Sequence, residues 1–199
     1  MTSNEFDLSA NFWDSKYKLA ETGWDLGAIS LPLKTYFDQL ENTNFRILIP
    51  GGGNSYEAEY LHNKGFRNVY VADIARTALQ NISDRVPTFP QENLLLENFF
   101  DLHLTFDFII EQTFFCALNP LLRTDYSQKA SELLNSNGKL VGLLFDTDFG
   151  NNYPPFGGNL EEYRRLFAPH FNLDTFEKCY NSHPARQGRE SFINIQKKS

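Results

Sequence analysis

Positive charge is scarce in this sequence. Eighteen Lys and Arg face 25 Asp and Glu, giving a formal net charge of −7, and no basic stripe runs along any segment. The nearest candidate, Lys197-Lys198, is a pair that water alone satisfies, so no nucleic-acid partner is expected. Long apolar runs are missing too. Nothing approaches the ~18 residues that a membrane span needs, and no membrane partner is expected. The start, "MTSNEFDLSANFWDSKY", has neither a basic n-region nor an apolar h-region, which argues against a secretory signal. The expected location is the cytoplasm. Cys116 and Cys179 are the two cysteines; they are too few for a disulfide framework and read as small buried hydrophobes. The four histidines (His62, His103, His170 and His183) are scattered, and none pairs at metal-ligand spacing. No metal is expected.

Aromatic residues, by contrast, abound: 19 Phe, 9 Tyr and 2 Trp stand against a single Met. They suffice for a core and for an aromatic-lined pocket besides. A length of 199 residues suits one well-buried α/β domain. Strand-like runs alternate with helix-like ones, the pattern of βαβ units on a mostly parallel sheet. "FRILI" is the first strand, and a helix over Tyr56 to Lys64 ends at Gly65. "NVYVAD" is the second strand, "ARTALQNISDRV" a helix, "NLLLEN" a third strand and "FDFIIEQ" a fourth. "DYSQKASELLNSNGK" reads as a helix whose Asn137-Gly138 turns into a fifth strand, "KLVGLLF". In "LEEYRRLFAP" a stripe of Leu160, Tyr163, Leu166 and Phe167 marks another helix. "FNLDTFEKCY" and "ESFINIQKK" read as antiparallel edge strands. The expected organisation is a single domain, with residues 1–43 as an N-terminal helical cap or lid and 44–199 as the core.

The informative stretch is "ILIPGGGNSYEAEYLHNKGFRNVYVADIA": strand, three glycines, helix, then a strand ending in Asp73. Glycine permits φ > 0 and close approach of another group to the backbone, and the helix start offers unpaired N–H groups. A phosphate-cradling loop would need Gly-Lys-Ser/Thr, but Asn54-Ser55 follows Gly53. A dinucleotide fingerprint would need a third glycine, but Tyr56 stands there. Asp73 is placed to accept hydrogen bonds from ribose hydroxyls. A nucleoside without a pyrophosphate satisfies both observations, and S-adenosylmethionine is the obvious one. The competing reading is a tight turn with no ligand.

With these segments in order, the chain resembles the thiopurine S-methyltransferase family, which includes the thiol and halide methyltransferases of plants. "FWDSKY…GWDLG" is similar to the family's N-terminal aromatic segment, "IPGGG" to its cofactor loop, and "VADIA" to its acid-ended strand. "NFFDL" resembles the adenine-flanking segment, "FDFIIEQTFFCALNPLLRTDY" the next strand and its sequel, and "YPPFGGNLEEYRRLF" a substrate-side loop and helix. The resemblance implies a Rossmann-like methyltransferase fold: a mostly parallel seven-stranded sheet with an antiparallel edge strand and helices on both faces. It also implies S-adenosyl-L-methionine as cofactor. Trp13, Tyr17 and Trp24 would cover that cofactor. Gly51 and Gly53 would approach its methionine portion, Asp73 its ribose, and Asn98 and Phe99 its adenine, with Ile74 as a further cofactor contact. Glu111 would attract its ammonium or sulfonium. On the acceptor side the candidates are Gln112, where relatives carry Arg, with Tyr153, Phe156 and Arg186.

A methyl on sulfonium already has an excellent leaving group, so the protein need only align the reactants and exclude water. That accords with the absence of a nucleophilic triad, and no catalytic nucleophile is expected. The acceptor expected is a small molecule, a thiol, sulfide or halide. Two alternatives stay open: a cofactor-binding sensor or interaction module without turnover, and a small-molecule N- or O-methyltransferase. Oligomeric state is left open, with a monomer as the working expectation.

Overall fold

The computed structural model describes residues 7–199. Helices α1 (Ala10–Lys18) and α2 (Leu31–Phe37) precede strand β1 (Ile47–Pro50). There follow α3 (Tyr56–Asn63), β2 (Val69–Ala72), α4 (Arg76–Arg85), β3 (Leu94–Leu95) and β4 (Phe106–Gln112). Then come α5 (Arg123–Leu133), β5 (Leu134–Phe145), α6 (Leu160–Phe167), β6 (Phe171–Lys178) and β7 (Glu190–Lys197). The strands form one seven-stranded sheet in the order β3-β2-β1-β4-β5-β7-β6. All pairings are parallel except those of β7, which runs antiparallel to both β5 and β6. The antiparallel element therefore lies one strand in from the edge, and β6 is the edge itself.

Both faces of the sheet are covered, which is why its central strands read as unbroken apolar runs. Side chains alternate along each strand. Ile47 and Ile49 join a core with Val71, Ile110 and Val141, under Leu33 and Phe37 of α2, Leu61 of α3 and Ile82 of α4. Leu48 and Ile109 face the other way, into a core with Leu140, Ile193, Tyr126 of α5 and Phe167 of α6. Gly65, at φ 96°, stops the α3 segment as its sequence predicts. Helix α6 is capped by Asn159, whose side chain accepts from Glu162 N–H at 2.9 Å, and it buries Tyr163 and Phe167.

Two elements differ from expectation. The third strand forms a ladder only at Leu94 and Leu95, because it lies at the sheet edge and pairs with β2 alone. The fifth helix ends at Leu133, and the chain is extended from Leu134 rather than turning at Asn137-Gly138. Leu134 already pairs with Phe106, and Asn137 (φ 63°) and Gly138 form an irregularity inside the strand before Lys139 pairs with Phe108. No helix among the described residues is long and apolar enough to cross a membrane.

Candidate active site

The chain runs outward from β1 to β2 and β3, then crosses back to β4 on the other side of β1. Open α/β sheets bind ligands at such a switch point, outside the carboxyl ends of the strands. Four strand ends gather here: Gly51 after β1, Asp73 after β2, Asn98 after β3 and Thr113 after β4. Together they line a cavity of about 1170 Å³.

Asp73 is buried, and both of its oxygens accept from backbone. Oδ2 takes Gly53 N–H at 2.9 Å and Oδ1 takes Ala75 N–H at 2.8 Å. Burial raises its pKa, against the pull of these bonds. The carboxylate thus clamps the glycine loop to the end of β2 while keeping further lone pairs for a ligand. Gly51 (φ 54°) and Gly53 (φ 56°) carry left-handed backbone. A Cβ on Gly51 would stand 2.1 Å from the Phe114 ring, and one on Gly53 would stand 2.5 Å from the Tyr17 hydroxyl. The protein's own aromatics, rather than open ligand space, occupy the room the glycines vacate.

The N-terminal segment forms one side of the cavity. Trp24 packs edge-on against Trp13 and Tyr17, with centroids 5.6 and 5.9 Å apart, and all three rings line the cavity. Polar ties hold the segment down. Asp14 accepts from Thr77 N–H at 2.7 Å, capping α4, whose own N-cap residue Ala75 has no capping side chain. Lys18, and then that bond, lower the Asp14 pKa to about 2. Arg186, buried in the β6–β7 connection, donates to the Trp24 carbonyl and to Glu190.

Of the sequence-derived candidates, Trp13, Tyr17, Trp24, Gly51, Asp73, Ile74, Asn98, Phe99, Tyr153 and Arg186 line this one cavity. Gly53 and Gln112 line instead a small adjoining recess of about 50 Å³, shared with Tyr17, Trp24 and Arg186. Gln112 accepts there from the Ser30 hydroxyl at 3.1 Å. Two candidates are not in the cavity wall. Glu111 is fully buried, and its carboxylate accepts from Phe114 N–H, Phe115 N–H and the Tyr126 hydroxyl, so it faces the interior. Phe156 is buried too; its N–H bonds to the Cys116 carbonyl at 2.7 Å, turning that stretch inward behind Tyr153, Pro154 and Pro155. Sequence reasoning missed Phe12, Phe114, Phe145 and Phe149, which complete the aromatic wall. Cys116 also lines the cavity, but burial pushes its thiol up to about 12, which leaves it un-ionised. Among the described residues, no cluster of His, Cys, Asp or Glu could hold a metal ion.

The family model for thiopurine S-methyltransferase matches residues 8–198. Probable thiol methyltransferase 2 of Arabidopsis thaliana is 30% identical over 166 residues, covering 81% of this chain and 73% of that protein. Thiopurine S-methyltransferase of Acinetobacter baylyi is 26% identical, with 83% and 87% of the two chains covered. Among solved structures, Burkholderia thailandensis 1,6-didemethyltoxoflavin-N1-methyltransferase, with S-adenosylhomocysteine bound, superposes with a TM-score of 0.75 at 16% identity. That match covers 96% of this chain and 87% of the other. Magnesium protoporphyrin IX methyltransferase from Synechocystis, with S-adenosylmethionine bound, gives 0.72 at 11%, covering 99% and 100%. At such identities these two speak for the Rossmann-like fold alone.

Proposed function

We propose, for a chain that belongs to the thiopurine S-methyltransferase family, that the cavity above β1 and β4 serves methyl transfer to a small thiol, sulfide or halide. The chain is an S-adenosylmethionine-dependent methyltransferase; the acceptor and the role of each residue are the proposal. One observation carries it. A single cavity of about 1170 Å³ runs from Asp73, Asn98 and Phe99 past Gly51 to Tyr153, Pro154 and Pro155. Pockets of ~300–1,000 Å³ enclose one drug-sized ligand, so this one has room for a donor and an acceptor together. The names of the relatives, thiol and thiocyanate methyltransferases, support a soft acceptor.

The residues fit the cofactor. Asp73 keeps lone pairs for ribose hydroxyls, Ile74 flanks it, and the Phe99 and Phe114 rings offer apolar faces. The Asn98 carbonyl oxygen accepts from Phe100 N–H, which leaves its amide N–H groups for the acceptors of a purine. Ser55 Oγ is buried without a partner in the recess beside Gly51 and Gly53. When bound, the cofactor supplies a methyl on sulfonium whose leaving group needs no assistance. The remaining work is to hold the acceptor in line and keep water out, and the aromatic wall of Phe145, Phe149 and Tyr153 suits it. In this reading Trp13, Tyr17 and Trp24 form a lid, and Arg186 ties it to the acceptor side.

A general base is not evident, which favours thiolate or halide over amine or alcohol. No histidine lines the cavity. Of its carboxylates, Asp73 is bonded to backbone, Asp7 accepts from Ser9 N–H, Glu21 pairs with Lys16, and Glu97 is exposed and adjoins Asn98 on the cofactor side rather than the Tyr153 side. A cytoplasmic location belongs to the same proposal. The test is a panel of thiols, hydrosulfide, iodide, phenols and amines, read by release of S-adenosylhomocysteine. Thiols and iodide are expected to turn over fastest. Thiol rates should rise with pH to about 8.5, the ordinary thiol pKa, while iodide shows no such limb. Turnover confined to amines or catechols would overturn the acceptor assignment and leave the methyltransferase intact.

A further inference from the structure

Glu111 is the most deeply buried acid at the site, and the cavity does not touch it. Its carboxylate makes three hydrogen bonds and accepts in each. Oε1 takes Phe114 N–H at 2.8 Å and Phe115 N–H at 2.9 Å, and Oε2 takes the Tyr126 hydroxyl at 2.7 Å. These bonds fix the turn by which the chain leaves β4. The turn begins at Thr113, a β-branched residue at φ 61°, a conformation such residues rarely adopt without support. Its product is the placement of Phe114. That ring fills the space beside Gly51, meets Phe99 edge-on at 5.6 Å, and forms part of the cavity wall.

We propose that Glu111 is a positioning residue for cofactor binding: its buried carboxylate holds the Thr113–Phe115 turn so that the Phe114 ring is set against Gly51. The inference rests on the reading that this end of the cavity takes S-adenosylmethionine. An ionised carboxylate accepts all three hydrogen bonds strongly. A protonated one must place its own hydrogen among three donors, and its bonds to the turn weaken. Burial raises the Glu111 pKa to about 7, so the two states exchange near neutrality. The groups that face it do not titrate there. Burial first, and then Glu111 itself, push Tyr126 far above its ordinary value and Cys116 to about 12.

Glu111→Gln keeps the shape and imitates the protonated state: its carbonyl still accepts from the turn, and its amide donates to Tyr126. Calorimetric binding of S-adenosylhomocysteine from pH 6 to pH 8.5 reads the effect without turnover. Wild-type affinity is expected to rise about three- to tenfold across the range. E111Q should stay near the wild-type low-pH affinity throughout. Tyr126→Phe removes the hydroxyl that favours the charged form, so the midpoint of the binding profile should move to higher pH. An E111Q profile that tracks the wild type, or a midpoint unmoved in Y126F, would overturn the proposal. Failure of the wild type to bind S-adenosylhomocysteine at any pH would instead refute the underlying cofactor reading.

Discussion

Strands β1 and β4 lie side by side, and the chain leaves both through left-handed backbone. After β1 it does so at Gly51 and Gly53; after β4 it does so at Thr113. The first exit uses glycine because there is no room for a Cβ, since Phe114 and Tyr17 stand where one would go. The second carries a full side chain, and its strain is offset by the two N–H bonds that Glu111 accepts just beyond it. Steric demand rules one turn and hydrogen bonding the other, and Phe114 joins them. Substitutions that exchange these solutions should separate the two causes.

The largest effect is expected at Gly51. Alanine there meets the Phe114 ring close to its root and must also hold φ 54°, so Gly51→Ala should lower stability by about 3 kcal/mol. Affinity for S-adenosylhomocysteine should fall more than tenfold. Gly53→Ala has the same φ problem, but its neighbour is the tip of the Tyr17 side chain, which can move. Its stability loss should be about 1 kcal/mol. Urea unfolding of the two variants checks this. Equal losses would mean that backbone conformation, not Phe114, accounts for the glycine.

The next effect belongs to Glu111 and concerns folding rather than binding. Its folded pKa, about 7, lies above the ordinary carboxylate value of 4.5. Between those values the folded protein keeps a proton that the unfolded chain has released, so stability falls as pH rises through this window. The decline from this group is on the order of 3 kcal/mol between pH 4 and pH 8. Asp73 and Glu57, also raised by burial, act in the same sense and remain in both proteins compared. Unfolding free energies of E111Q should therefore fall less steeply than those of the wild type. Parallel curves would place the proton elsewhere.

Asp73→Ala removes acceptors for Gly53 and Ala75 N–H along with any ribose contact. Calorimetry with S-adenosylhomocysteine should register a loss of about 1–3 kcal/mol. Unchanged affinity would remove Asp73 from the site.

The β1 exit was legible in the sequence and the β4 exit was not, for physical reasons. Glycine, a preceding apolar strand and an acid twenty residues on are local signals. The same alternation of apolar positions that marks the strands also fixes which face each residue takes, so the sheet and its helices follow. In "TFFCAL" nothing distinguishes Phe114, in the cavity wall, from Phe115, packed in the core. That choice depends on where Glu111 directs the backbone, which is a matter of tertiary packing. The family resemblance makes Glu111, an acid at a strand end, a ligand contact. Here Tyr126, sent up from α5, captures it from the interior side. Arg186 and Asp14 act over still longer separations, clasping the N-terminal segment to the β6–β7 connection and to α4.

The smallest effect, and the sharpest on the comparison, is expected at Thr113 itself. A β-branched residue at φ 61° carries a conformational penalty of roughly 1–2 kcal/mol. Glycine would relieve it, at the expense of greater freedom in the unfolded chain, which costs about 0.5–1 kcal/mol. The Thr113 hydroxyl bond to the Gln112 carbonyl, 2.7 Å long, would also be lost, but it lies between neighbours and is partly exposed. The balance favours the variant, and Thr113→Gly should gain about 0.5 kcal/mol in urea unfolding. In the E111Q background, where the supporting bonds are weaker, the gain should be larger, because more of the strain is then left unopposed. A double-mutant cycle measures that difference. If the two substitutions are simply additive, Glu111 does not support the Thr113 turn, and the contrast between the two strand ends reduces to residue choice alone.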